Sequence, residues 1–199
     1  LEISPLAKDS RRSTGITGLD LAMEGGFPLG TTIVVQGSPL TGIDHMARQF
    51  WGMDRNTGSY LMIDGEVEPG MIAASGMTTD QLADSCKGDR IVIDSLSTII
   101  SNGGIDNALR FFDKVKKDIA ARNANVMFLI YPDLHPPQEE IRIMRIADVV
   151  IELKEAIFMN EIERQLAVHK IRRGQVPKRL IPFNITEKGI ELSTTSRVV

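Results

Sequence analysis

Cysteine is nearly absent: Cys86 is the only one among 199 residues, so no internal disulfide can form. With no secretory apolar stretch at the start, this gives the expectation of a cytoplasmic protein. Long apolar runs are missing too. The longest, Val126 to Tyr131, is far below the roughly 20 residues of a membrane-spanning helix, so no membrane partner is expected. Charge is nearly balanced, at −3, and no basic tract is interleaved with aromatics, which argues against a nucleic-acid partner. His45, His135 and His169 lack metal-ligand spacing. Ser95 and Ser97 lack the G-x-S-x-G frame of a hydrolase nucleophile. No low-complexity segment or internal repeat is found.

What is present suits one ordinary domain: 42% hydrophobic residues and 17 glycines in a chain long enough to bury a sizeable core. Residues 1–12 read as an N-terminal arm and 13–199 as a single domain. Thr31 to Gln36 is a β-branched run expected as a buried strand. Ile43, Met46, Ala47, Phe50 and Trp51 then fall on one face of a helix. Further strands are expected at Ser59–Asp64, Arg90–Ser95, Val126–Tyr131 and Asp148–Leu153. Helices are expected near Thr79–Cys86, over Ile105–Arg122 and over Gln138–Ile146, and the glycines between Ser13 and Gly30 mark a short helix and a turn. From Ala156 onward the pattern changes to strand pairs at Gln165–Ile171, Arg179–Phe183 and Gly189–Leu192, with Ala156–Glu163 as an apolar hairpin tip suited to contact with another subunit. The nine methionines are spread through these elements as core filler. The alternation predicts an α/β fold: a mainly parallel central sheet with helices on both faces, finished by C-terminal antiparallel strands.

The segment joining the first strand to its helix is the most informative. Gly37, Ser38, Pro39, Leu40, Thr41, Gly42, Ile43 and Asp44 keep the frame of a phosphate-binding loop, G-x-x-x-x-G-K-[ST], through its sixth position and then depart from it. Ile43 stands in place of the lysine and Asp44 in place of the metal-binding hydroxyl. Losing one charge-assisted hydrogen bond costs about 1.5–3 kcal/mol, roughly ten- to 150-fold in affinity. No bound cofactor is therefore expected, and any ATP and Mg²⁺ would be held weakly. A carboxylate in the first turn of a helix is favourable by about 0.3–1 kcal/mol. Asp44 is accordingly expected to act as an internal anion for the loop's N–H groups. Asp94 closes an apolar strand in the manner of a Walker B acid, the position that holds metal-bound water.

Six phrases in order, STGITGLD, GGFPLGTTIVVQGSPLTG, RIVIDSLS, IADVVIEL, VHKIRRG and PFNITEKGIEL, resemble the RecA-like P-loop ATPases of the KaiC and RadA-related group. The likeness runs from Ser13 to Leu192 and implies the RecA-like fold. It places Glu66 where that family carries the glutamate that activates water, here a vestigial base position. It places Lys170 and Arg172 where the family's K-x-R reaches a neighbouring subunit's phosphates, with Arg173, Lys178 and Arg179 enlarging the basic patch. Only 24 residues, Val67 to Arg90, separate the second and third strands, fewer than the family has, so a trimmed helical layer is expected. The implied function is a non-hydrolysing scaffold or regulatory subunit, self-assembling or joined to an active ATPase of the same kind. The alternative is a weak ATPase with an unorthodox loop.

Overall fold

The β-branched run lies at the centre of the sheet, where all five of its residues from Thr32 to Gln36 are buried. In the computed structural model of the chain, residues 10–54 and 57–193 are described. In order the elements are β1 (Arg11–Arg12), α1 (Thr17–Ala22), β2 (Phe27–Pro28), β3 (Thr32–Gln36), α2 (Ile43–Gly52), β4 (Ser59–Met62), β5 (Ile72–Ala73) and α3 (Thr79–Ser85). They continue with β6 (Arg90–Asp94), α4 (Leu96–Arg122), β7 (Asn125–Ile130), α5 (Pro137–Ile146), β8 (Val149–Phe158), β9 (Glu161–Ile171), β10 (Ile181–Thr186) and β11 (Gly189–Leu192).

Nine strands form one sheet in the order β11-β10-β9-β8-β3-β7-β6-β4-β5. From β5 to β8 all pairings are parallel, and from β8 to β11 all are antiparallel. A parallel sheet must be covered on both faces. One face packs Leu19, Met46, Phe50 and Trp51 against Val35, Tyr60, Val92 and Met127. The other packs Leu82, Phe111, Phe112 and Ile143 against Val34, Ile91 and Phe128. The five residues expected on the apolar face of α2 are all buried. Among the described residues no helix is long and apolar enough to cross a membrane.

The opening STGITGLD phrase has a local physical cause. Asp20 accepts hydrogen bonds from Ser13 Oγ at 2.5 Å and from the Thr14 N–H at 2.6 Å, which ties α1 to the preceding turn. Gly15, at φ +86°, lies against the Gln49 carbonyl where any Cβ would overlap. The Gln49 side chain in turn accepts from Ile190 N–H at 2.7 Å and donates to the Ile190 carbonyl at 3.1 Å. The first and last segments of the domain thereby meet on α2.

Two boundaries differ from expectation. Arg11 and Arg12, assigned to the arm, form β1 against β2. Arg12 Nη1 also donates to Asn125 Oδ1 at 2.7 Å; residues 1–9 of the arm lie outside the described residues. Helix α4 starts at Leu96 and not near Ile105, because Gly104 (φ 76°, ψ 164°) kinks one element into two pieces and interrupts the apolar period. The interval between β4 and β6 holds the short β5 and the seven-residue α3.

Candidate functional site

The loop after β3 folds back on itself. Ser38 Oγ accepts from Leu40 N–H at 3.2 Å. The Ser38 carbonyl accepts from Thr41 N–H at 3.1 Å and from Thr41 Oγ1 at 2.7 Å. The result is a 3-10 turn over Pro39–Thr41, in which two N–H groups of the loop are used by the loop. Gly42 follows at φ +86°, and a Cβ there would lie 2.7 Å from Ile185 Cδ1. Ile43 is buried in the core beneath α2. Asp44 does not cap the loop as expected. Its carboxylate pairs with Arg48 one turn along the same helix, because an Asp–Arg pair at i, i+4 supplies a full opposite charge. The same guanidinium reaches Glu68, with Nη2 2.8 Å from Oε1.

Asp94 closes β6 on the face covered by α2, and its peptide to Ser95 is cis. Both carboxylate oxygens are engaged: Tyr60 Oη donates to Oδ2 at 2.8 Å and Tyr131 Oη to Oδ1 at 3.2 Å. These are the only two tyrosines in the chain. Burial raises the Asp94 pKa, with nearby Asp64 adding to the rise against the two phenol hydrogen bonds. Burial, with the Asp94 charge, likewise pushes both phenols above their ordinary range. Trp51 packs edge-on against Tyr60 at 5.4 Å between ring centres.

Glu66 follows β4 as expected and is exposed; the carboxylate drawn inward from that segment is Glu68. Asp64 accepts from Thr98 in the first turn of α4, and Ser95 caps the same helix by accepting from Thr98 N–H at 3.2 Å. Behind this cluster Ser97 Oγ lies 3.1 Å from His135 Nε2 and accepts from Tyr131 N–H at 2.9 Å. His135 Nδ1 is 3.5 Å from Glu140. Both Ser97 and His135 are buried, so this row joins α4, the end of β7 and α5 without exposing a nucleophile.

The basic residues lie at the other end of the sheet. Lys170 opposes Val150 at the start of β8. Its Nζ donates to the carbonyls of Met144 at 3.1 Å and Arg145 at 3.0 Å, capping the C-terminus of α5. Arg172 Nη1 donates to Asp148 Oδ1 at 3.0 Å. That buried carboxylate also takes Lys116 Nζ at 2.8 Å and the Thr32 N–H and hydroxyl at 3.1 and 2.9 Å. Arg173 follows at φ +59°. Since Thr32 begins β3 and Gly37 follows its end, one chain does not bring Lys170 and Arg172 to its own loop.

The hairpin of β8 and β9 is longer than expected. Its pairing runs to Phe158 opposite Glu161, while β3 stops at Glu152 and β10 at Arg164. An arm of eight residues, 156–163, therefore stands beyond the sheet. Ile157, Phe158, Met159 and Ile162 on it are exposed.

No curated protein sequence matches the chain. A KaiC-like protein from the hyperthermophilic archaeon Pyrococcus horikoshii has a similar solved structure. Its TM-score is 0.77 at 19% identity, over 92% of this chain and 99% of that one, a likeness of fold. The family model described as "ATPase: KaiC" matches residues 76–197, a span that begins beyond the loop and includes Asp94, the basic turn and all four strands of the antiparallel edge. With more than half of its length matched and the parallel sheet ending on the acid of β6, the chain belongs to the KaiC ATPase family.

Proposed function

We propose that this chain is a non-hydrolysing KaiC-like protein, a scaffold or regulatory subunit that works by self-assembly or by joining an active ATPase of the same fold. The observation that carries this reading is the pair of phenols on Asp94. The family implies a nucleoside triphosphate with Mg²⁺, and the residues here do not fit that pair. The acid that would hold metal-bound water has both oxygens engaged. Ile43 brings no charge to the loop, Asp44 brings the wrong one, and the loop's own turn consumes two of its donors.

The two ends of the molecule favour assembly. That the basic pair cannot reach its own loop supports a contact with another subunit there, and the exposed apolar arm supports a second. Lys170 and Arg172 serve here as interface and structural residues, since each is held by its own chain at helix α5 or Asp148. Bulk charge gives no reason to add nucleic acid to the partners.

Calorimetric titration with ATP and Mg²⁺, followed by phosphate release from the assembled form, tests the reading. The expected result is binding too weak to saturate and no turnover. Turnover that disappears in Asp94→Ala would replace it with the weak-ATPase alternative.

A further inference from the structure

At the loop end of the sheet Arg48 is the cation between Asp44 and Glu68. Its Nη1 pairs with Asp44 from the first turn of α2. Its Nε donates to Glu68 Oε1 at 3.0 Å, and Nη2 lies 2.8 Å from the same oxygen. Its charge also reaches Asp94 and Tyr60 in the sense that favours their ionised forms. The segment that brings Glu68 is seated on α2 at a second point, where Gly70, at φ +91°, lies against the Trp51 ring. Asp44 and Glu68 converge on this one guanidinium, and two carboxylates held together without a cation repel each other. A planar guanidinium suits this place, since it is weakly hydrated, permanently charged and able to serve two carboxylates at once.

We propose that Arg48 performs in this chain the charge balancing that a divalent cation performs in the fold family, so that the metal-free form is complete in itself. The inference rests on the non-hydrolysing reading but stands on different residues. Phosphate release tests that reading; the measurement below tests Arg48.

The experiment is thermal unfolding of the full chain with and without MgCl₂. The wild-type Tm is expected to be indifferent to Mg²⁺. Arg48→Gln leaves Asp44 and Glu68 without their cation and should lower Tm by about 4 °C or more, with Mg²⁺ restoring part of the loss. Adding Asp44→Asn should abolish that restoration, and Arg48→Lys should keep the indifference to Mg²⁺. A wild-type Tm that rises with Mg²⁺, or a folded Arg48→Gln chain that ignores it, overturns the assignment. If Arg48→Gln does not fold in plain buffer, refolding in Mg²⁺ becomes the readout: recovery supports the assignment and no recovery overturns it.

Discussion

Tyr60 on β4 donates a 2.8 Å hydrogen bond to Asp94 at the end of the neighbouring strand β6. An acid at the carboxyl end of a parallel strand, in the crevice where α/β folds bind ligands, is ordinarily placed to meet a charged guest. Here each oxygen of the carboxylate accepts a hydrogen bond from one of the protein's own phenols. Tyr131, the residue after β7, completes the arrangement, and the ring of Trp51 packs against Tyr60 from the side of α2. Each oxygen thus has a partner within the chain, which changes what removal of the charge should do.

Asp94→Asn is expected to be tolerated. Burial lifts Asp94 above its ordinary value of 3.8, so on acidification the folded chain takes up this proton before the unfolded chain does. The stabilisation from that uptake is complete below the ordinary value and is lost as pH rises through the raised one. The amide removes the titration. Tm plotted against pH should flatten in that window and, at neutral pH, stay within about 2–4 °C of wild type, the shift that about 1 kcal/mol makes in a chain of this size. A much larger fall would show that the ionised carboxylate is itself required by the fold.

Asp148 should behave in the opposite way. Burial alone would raise its pKa, but Lys116 and the Thr32 donors outweigh that and hold it below the usual carboxylate range. Its contribution is therefore present above the ordinary value and lost as pH falls through the folded one. Asp148→Ala leaves the half-buried Lys116 and the buried Thr32 donors without their acceptor and should cost about 1–3 kcal/mol in urea unfolding at neutral pH. The gap to wild type should narrow in acid. Arg172→Ala removes a half-exposed partner and should cost less than about 1 kcal/mol.

The sheet was legible because burial on both faces writes itself as short β-branched or unbroken apolar runs; Thr32–Gln36 and Val126–Ile130 need no other signal. The kink at Gly104 was not, because one residue at positive φ inside a helix resets the apolar period without ending the element. The loop was legible as a frame from Gly37 and Gly42, but its partners were not. Tyr60 and Tyr131 sit inside apolar strands and read as core; only the side-by-side placement of β4, β6 and β7 brings both phenols to one carboxylate. Glu68 and Arg48 are separated by twenty residues in a region of mixed composition, and no periodicity links them. Asp44 misled for a related reason: a helix N-terminus and an arginine one turn on compete for the same carboxylate, and the arginine offers the full charge.

Gly42 keeps its place for a reason of packing. In a phosphate-binding loop a glycine lets the backbone approach a ligand; here the approach is to Ile185, 2.7 Å from where a Cβ would stand, at φ +86°. Gly42→Ala should therefore lose about 1–3 kcal/mol of stability whether or not nucleotide is added. Pairing it with Ile185→Ala should recover part of the loss by opening room, leaving only the backbone strain. Recovery caused by ATP and not by Ile185→Ala would return the loop to a nucleotide-binding role.

The arm of residues 156–163 is where self-assembly can be tested without touching the loop. Ile157 and Ile162 face each other across the hairpin and are 81% and 57% exposed, and fully burying an isoleucine contributes about 1.5–3 kcal/mol. A two-stranded ribbon is marginal by itself in water, so an apolar cross-strand pair beyond the sheet is costly unless another surface covers it. Ile157→Lys with Ile162→Glu keeps the pair compatible by opposite charge while making it unsuitable for a dry contact. Light scattering coupled to size exclusion should show the wild type heavier than one chain and the double variant at the mass of one. Its Tm should remain within the shift that about 0.5 kcal/mol produces, as for other exposed sites. If the double variant keeps the wild-type mass, the contact between copies lies elsewhere, with the basic turn at Arg172 and Arg173 next to be tested.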